Sequence, residues 1–372
     1  IYEPHFHTSS HGFRPGKSQH TALREVRKSF NGCIWTIEGD ISKFFDRVNH
    51  EILIKLLRKK IDDNRFLGLI EKGLKSKVIL PEGLRLNTEM GTPQGGICSP
   101  LLANIYLDVL DQWVTLYKEK FDKGRQRRYS KEYDKMQKRG YKASQIRSKG
   151  LRWADPQDPN YRRLQYVRYA DDFLIGLICT KAEAEKVRED LREFLREELK
   201  LELNEKKTVI THWRDDIPFL GYKIRQCYIQ SKVKVHKKSV PTERKILKLL
   251  SDRSKVTKRL QQAGFCGPSG KPTPNFRFLH QTQELSNGRA KALLEGLNSY
   301  YKLADDRQRS ITYFAYIVRM SLAKMYAAKF RLRTSKQVFK RAGRDLSKPC
   351  AARGYGAIDL KLMEWGNQPN PN

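Results

Sequence analysis

The sequence predicts an α+β fold over residues 1–237, an antiparallel sheet with flanking helices, followed by an all-helical part over 238–345. Three observations predict it. Short apolar or alternating runs at residues 33–40, 164–178, 208–211 and 219–224 have the length and composition of strands. Helix-length stretches with apolar residues three and four apart lie among them. After about residue 238 the strand signals stop, and helical patterns follow at 244–260, 289–304 and 311–329.

Taken in order, residues 1–30 begin as a loop rich in His, Ser and Gly and enter a helix near Ser18. A strand at 33–40 ends on Asp40 and is followed by a helix at 49–60. The Gly- and Pro-punctuated segment 91–100 leads into an apolar-periodic helix at 101–117. Residues 118–163 are basic, dotted with Tyr and poor in aliphatic periodicity, and read as an insertion suited either to RNA docking or to disorder. Residues 164–178 read as a hairpin turning at Ala170-Asp171-Asp172. Ala184, Val187, Leu191, Phe194, Leu195 and Leu199 mark an amphipathic helix. A polar linker spans 264–273, and 346–372 reads as a tail or the start of a further domain.

Charge narrows the function. Lys and Arg total 74 against 41 Asp and Glu, a net of +33 spread along all 372 residues. Such a surplus repels itself in a compact chain and calls for a polyanionic partner, with nucleic acid first. The six cysteines form no CxxC pair, which argues against a zinc site or a disulfide framework and for reduced thiols inside a cell. The apolar run at 173–179 is too short to span a bilayer. Because the sequence begins at Ile1 and not Met, it is expected to be part of a longer chain.

Asp40, Asp171 and Asp172 carry the chemistry. A tight hairpin supplies two adjacent carboxylates, and a strand end supplies a third. Hard oxygen ligands of this kind suit two magnesium ions, with manganese as a substitute. An Asp-Asp pair in a turn is by itself ordinary turn chemistry; its company decides the reading.

Asp40-Ile41-Ser42-Lys43-Phe44-Phe45-Asp46, Gly91-Thr92-Pro93-Gln94-Gly95-Gly96 with Ser99-Pro100-Leu101-Leu102-Ala103-Asn104, Tyr169-Ala170-Asp171-Asp172 and Phe219-Leu220-Gly221-Tyr222 stand in the order of reverse transcriptase motifs. His11-Gly12-Phe13-Arg14-Pro15-Gly16-Lys17-Ser18 and the Arg168 context resemble the group II intron-encoded branch in particular. The resemblance implies a right-hand polymerase, with fingers and palm over 1–237 and a helical thumb, or domain X, over 238–345. It implies an RNA-directed DNA polymerase whose partners are deoxynucleoside triphosphates, an RNA template with a DNA primer, group II intron RNA and target DNA, without a membrane. Such a protein would work as a ribonucleoprotein in bacterial cytoplasm or in an organelle.

The same resemblance implies site roles. Arg14, Lys17, Ile41, Phe45 and Gln94 would bind the nucleotide, with Phe45 set against a ribose 2′ hydroxyl. Gly95, Tyr169, Phe219, Leu220 and Gly221 would meet template and primer. Lys207 would neutralise or protonate the leaving pyrophosphate, although a solvated lysine fits the sequence equally well. Asn298-Ser299-Tyr300-Tyr301 and Ser321-Leu322-Ala323-Lys324 carry the likeness to domain X, where Lys324, Lys329, Arg331, Arg333, Lys336, Lys340 and Arg341 would grip RNA phosphates. For Arg14 the plain alternative is pairing with a local carboxylate, and for Phe45 a place in the core. At the level of function, the alternative is a splicing factor that keeps the fold only to bind RNA.

Overall fold

The chain divides into two units in the computed structural model, residues 1–219 with 225–247, and residues 220–224 with 248 onward. The structure describes residues 1–351 apart from 77, 80–84, 87–89, 94, 150, 152, 153, 156, 157, 206, 236 and 237.

The first unit is built on alternation between helices and strands. In chain order it holds α1 (Gln19–Ser29), β1 (Trp35–Asp40), α2 (Phe44–Arg47), α3 (His50–Arg58), α4 (Asn64–Leu74), β2 (Val78–Ile79), β3 (Arg85–Leu86) and α5 (Ser99–Phe121). Then come α6 (Lys131–Lys138), α7 (Ala143–Ser148), β4 (Arg163–Tyr169), β5 (Asp172–Ile178), α8 (Lys181–Glu198), β6 (Ile210–His212) and β7 (Ile217–Phe219). A four-stranded sheet in the order β4-β5-β1-β6 forms the floor. Its paired strands are antiparallel, as the hairpin and the strand before Asp40 led one to expect. Helix α8 begins with a capping box in which Thr180 and Glu183 satisfy each other's backbone groups, the reason it starts where it does. Ile37, Phe44, Leu53, Tyr106, Leu110, Ile175 and Leu191 share one core between sheet and helices.

One close approach fixes the middle of this sheet. Gly39 stands opposite Phe173 in the β1–β5 register, and a Cβ added there would fall 2.0 Å from the Phe173 ring. Phe173 is 1% exposed and has little room to retreat. Gly39→Ala should therefore cost about 1–3 kcal/mol by overpacking, seen as a lower urea midpoint. Adding Phe173→Leu should recover part of the loss; an unchanged Gly39→Ala midpoint would show the ring yields freely.

The described residues of the basic stretch 118–163 take up regular structure. The stretch carries α6 and α7 and is tied back at both ends, through paired backbone bonds between Lys123 and Arg162 at 3.1 Å and an Arg162–Glu183 ion pair at 2.7 Å. Arg127 and Arg163 lie over the Tyr161 ring, at 5.1 and 4.3 Å from its centroid. Cation–ring and ion-pair contacts here replace the aliphatic core that the sequence lacks.

Two strands carry the chain onward, β8 (Tyr222–Val235) and β9 (Lys238–Ser251), forming a sheet in the order β7-β8-β9, and the division between the units falls within them. Strand β9 corrects the expectation of helix from residue 244. Leu247, Leu249 and Ser251 are buried while Ile246, Lys248 and Leu250 are less so, a period of two. Leu-rich runs of this kind satisfy a helical spacing as well, and tertiary pairing decides. Among its described residues the second unit carries the helices α9 (Arg253–Gln262), α10 (Gln283–Tyr300), α11 (Arg307–Lys329) and α12 (Ser335–Ala342). Among the described residues no helix is long and apolar enough to cross a membrane.

Candidate active site

Pairing of β1 with β5 sets Asp40 directly opposite Asp172, so the third carboxylate meets the hairpin pair. Asp40 is held at the strand end by residues 202–204. Its carbonyl accepts from Asn204 N at 2.9 Å, its carboxylate accepts from Asn204 Nδ2 at 3.1 Å, and Ile41 bridges to Leu203. A turn then brings Lys207 back, with its backbone N–H donating to Asn204 O at 3.0 Å and its Nζ standing 3.0 and 3.1 Å from the two Asp40 oxygens. The Lys207 side chain is 64% exposed and pairs with Asp40, so it is at once solvated and beside the carboxylates.

The electrostatics are those of crowded anions. Burial pushes the Asp172 carboxyl up to about 6, and the charges of Asp171 and Asp40 add to the shift. Asp171 is raised as well, first by burial and then by Asp40. Lys207 is raised by its bonds and charge contact with Asp40. Among the described residues no group of three or more His, Cys, Asp or Glu side chains is already drawn together as a metal cage. The donor chemistry nonetheless fits hard divalent cations: three carboxylates whose mutual repulsion one exposed lysine only partly offsets.

The hairpin turn is braced from beneath by a buried network that sequence reasoning did not assign. Ala170, in the turn, has a left-handed φ of 55° that suits Asn or Gly better than Ala. Its carbonyl accepts from Arg168 at 3.0 Å. The Arg168 guanidinium, fully buried, forks onto both oxygens of Asp111 at 2.7 and 2.5 Å and also reaches Asn104 Oδ1 at 3.1 Å. Tyr166 donates to Asp111 at 2.8 Å, and Asn104 Nδ2 donates to Gly12 O at 2.9 Å. Burial works against the Arg168 charge, and Asp111 more than offsets it, holding the group protonated. Three motifs thus share one network. The available signal was a pair of polar residues, Asn104 and Asp111, seven apart inside an apolar helical stripe.

Other candidate residues fall out differently. Arg14 and Lys17, expected on a nucleotide phosphate, bond groups of residues 3–10 in this structure. Arg14 bonds Glu3 Oε1 at 2.8 Å and the carbonyls of His7, Ser10 and Glu3, while Lys17 Nζ donates to Thr8 O and Ser10 O. A turn-rich loop leaves carbonyls that the helix and sheet do not satisfy, and these cations take them. The Ile41 side chain is 2% exposed and belongs to the core, so only its backbone could face a nucleotide. Phe45 is half-buried, edge-on to Phe44 at 5.3 Å, and its carbonyl accepts from Thr92 N at 2.7 Å. Gly95 has a φ of 88° and open space where a Cβ would be. Gln94 lies outside the described residues. Tyr169 pairs with Asp172 across the hairpin.

Phe219 is buried at the end of β7 in the first unit. In the second unit, Leu220 and Gly221 both have left-handed φ, 47° and 73°. Tyr300 donates to Leu220 O at 2.8 Å, and Tyr301 to Gly221 O at 3.1 Å. Lys324 donates to Pro272 O at 2.7 Å, Lys329 to Gln281 O, and Arg341 to Cys350 O at 2.9 Å, so these three help hold their own unit's loops. Arg331, Arg333, Lys336 and Lys340 are exposed; the last two sit four apart on α12, away from buried Val338 and Ala342.

With this geometry in place, comparison with known proteins is direct. Residues 1–224 match the family model described as reverse transcriptase (RNA-dependent DNA polymerase), and residues 252–359 match type II intron maturase. An uncharacterized mitochondrial protein of Marchantia polymorpha is 36% identical over 95% of this chain and 54% of its own length. The group II intron-encoded protein LtrA of Lactococcus lactis is 34% identical over 91% of this chain and 60% of its own length. A telomerase from Candida albicans, solved with a TWJ fragment of telomeric RNA, aligns over 98% of this chain and 56% of that one at 13% identity and a TM-score of 0.40. The chain spans about half the length of the curated relatives it matches. It belongs to the family of group II intron-encoded reverse transcriptases, whose maturase region follows the polymerase fold.

Proposed function

We propose that this chain is the polymerase of a group II intron-encoded protein, copying RNA into DNA and binding its intron RNA to promote splicing and retrotransposition. The register that pairs Asp40 with Asp172 is the observation that carries this reading. Asp40, Asp171 and Asp172 would hold two divalent cations, Mg²⁺ or in its place Mn²⁺. Bound there, such ions supply Lewis-acid stabilisation of the attacking and leaving oxygens in an in-line displacement. The chain's own groups do the rest. Lys207 neutralises or protonates the leaving pyrophosphate, and Phe45 excludes a ribose 2′ hydroxyl. Gly95 and Tyr169 meet template and primer. We assign Phe219, Leu220 and Gly221 to the primer end, and the exposed cations Arg331, Arg333, Lys336 and Lys340 to phosphates of template or intron RNA. We place fingers and palm in residues 1–237, the thumb in 238–345, and the whole in a ribonucleoprotein of bacterial cytoplasm or an organelle.

The test is primer extension by the purified chain on an RNA template. The expected result is extension with deoxynucleoside triphosphates that needs Mg²⁺ or Mn²⁺ and weakens steeply as salt rises, since phosphate contacts release counterions. Tight, salt-sensitive RNA binding without extension would favour the splicing-factor reading instead.

A further inference from the structure

The loop that carries His11 to Ser18 commits its two cations to residues 3–10, Arg14 to the Glu3 carboxylate and nearby carbonyls and Lys17 to the carbonyls of Thr8 and Ser10, which raises the question of what the loop is built to hold. At its tip sits Phe13, 51% exposed, with a left-handed φ of 55°. A bulky residue in that region is a genuine outlier and persists only where its surroundings impose it. The surroundings here do so. A Cβ on Gly12 would fall 2.2 Å from Ala170 N, so the loop lies hard against the hairpin turn. Asn104 holds Gly12 O at 2.9 Å, and Arg14 and Lys17 brace residues 3–10 behind it.

This bracing presents the Phe13 ring edge-on to Phe45, with centroids 6.5 Å apart and planes at 75°. Phe44 supports Phe45 from the core side at 5.3 Å and 72°. Phe45 thus meets both a buried ring and a ring in the solvent. A solvent-exposed aromatic in a strained backbone gains little from hydrophobic burial, and its contact with Phe45 is what the strain secures.

We propose that Phe13 is a positioning residue for nucleotide choice, the outer wall that fixes the Phe45 ring where it meets the sugar of an incoming nucleoside triphosphate. The proposal rests on the polymerase reading and deepens it. Phe13 acts through Phe45 and not through the carboxylates.

The experiment measures single-nucleotide extension with deoxy- and ribonucleoside triphosphates by the full chain and its variants. Phe13→Ala should lower the ratio of kcat/KM for deoxy over ribo substrates by about 2- to 10-fold, the worth of one aromatic edge contact. The change should lie mainly in the ribonucleotide KM. Phe13→Tyr, which keeps the ring edge, should restore the ratio. Phe45→Ala should lower the ratio further, and the double variant should match Phe45→Ala alone, because the two rings act as one unit. An unchanged ratio in Phe13→Ala beside a lowered one in Phe45→Ala would overturn the role of Phe13 and leave the polymerase standing. Additive losses in the double variant would overturn the coupling. No effect of Phe45→Ala would remove the gate and Phe13 with it, and no extension by the unaltered chain would overturn the polymerase reading beneath both.

Discussion

Replacing Asp172 by Asn should reduce primer extension about 1000-fold or more while making the cation-free fold more stable. Asp171→Asn should show the same loss of extension. The two effects of Asp172→Asn have opposite signs because the site gathers like charges for chemistry and not for stability. The Asp172 carboxyl is raised from an ordinary 3.8 to about 6, by burial first and then by Asp171 and Asp40. A raised acid means that the native state keeps a proton that the unfolded chain has released. The stability this group contributes is therefore present below about pH 4 and is lost as pH rises through about 6. Above that the charged native site carries a cost on the order of 2 kcal/mol. Asn carries no charge, so in chelator at pH 8 the variant should unfold at higher urea than the parent, and near pH 4 the two should converge. Adding Mg²⁺ should stabilise the parent alone. Retained extension, or a variant less stable than the parent at pH 8 in chelator, would sink the assigned site.

What the sequence could show was whatever is written locally. The hairpin at Asp171-Asp172, the strand before Asp40 and helix α8 were legible because their periods and caps are short-range patterns, and the motif order carried the pairing of Asp40 with the turn. Strand β9 was not, since Lys-Ile-Leu-Lys-Leu-Leu satisfies two periods and only partners choose between them. Arg14 and Lys17 show a second limit. A motif names the residue, but which acceptor a cation finds depends on loop carbonyls whose positions no spacing rule gives. Lys207 shows the reverse: sequence left it balanced between surface and site, and the Asn204 turn put it 3.0 Å from Asp40. Phe13 was quoted within its motif and passed over, because exposure and backbone strain have no signature in composition. Least visible was Arg168. A charged residue inside a strand run reads as an edge or a solvent face, and its complete burial needs Asp111 on a helix 57 positions away.

That ion pair sets the second large effect. Asp111→Ala should destabilise the first unit by about 3–5 kcal/mol, because it strands a fully buried guanidinium with no countercharge and takes the acceptor from Tyr166. Removing both charges is a different perturbation. Asp111→Leu with Arg168→Met leaves a site of similar volume and nothing unpaired, and should recover most of the lost stability. It should not recover extension, expected at about 10- to 100-fold below the parent. Arg168 also holds Ala170 O at 3.0 Å and Asn104 at 3.1 Å, and Asn104 in turn holds Gly12. Without it the left-handed turn that presents Asp171 and Asp172 loses its brace, and Asn104, which holds Gly12, loses the donor to its own side-chain oxygen. Urea unfolding and primer extension on the single and double variants separate the two roles. A double variant that is stable and fully active would reduce the network to packing. One that is stable, binds RNA normally and extends poorly would show that the buried charges are kept for the geometry of the turn, where a fraction of an ångström decides whether three carboxylates can act together.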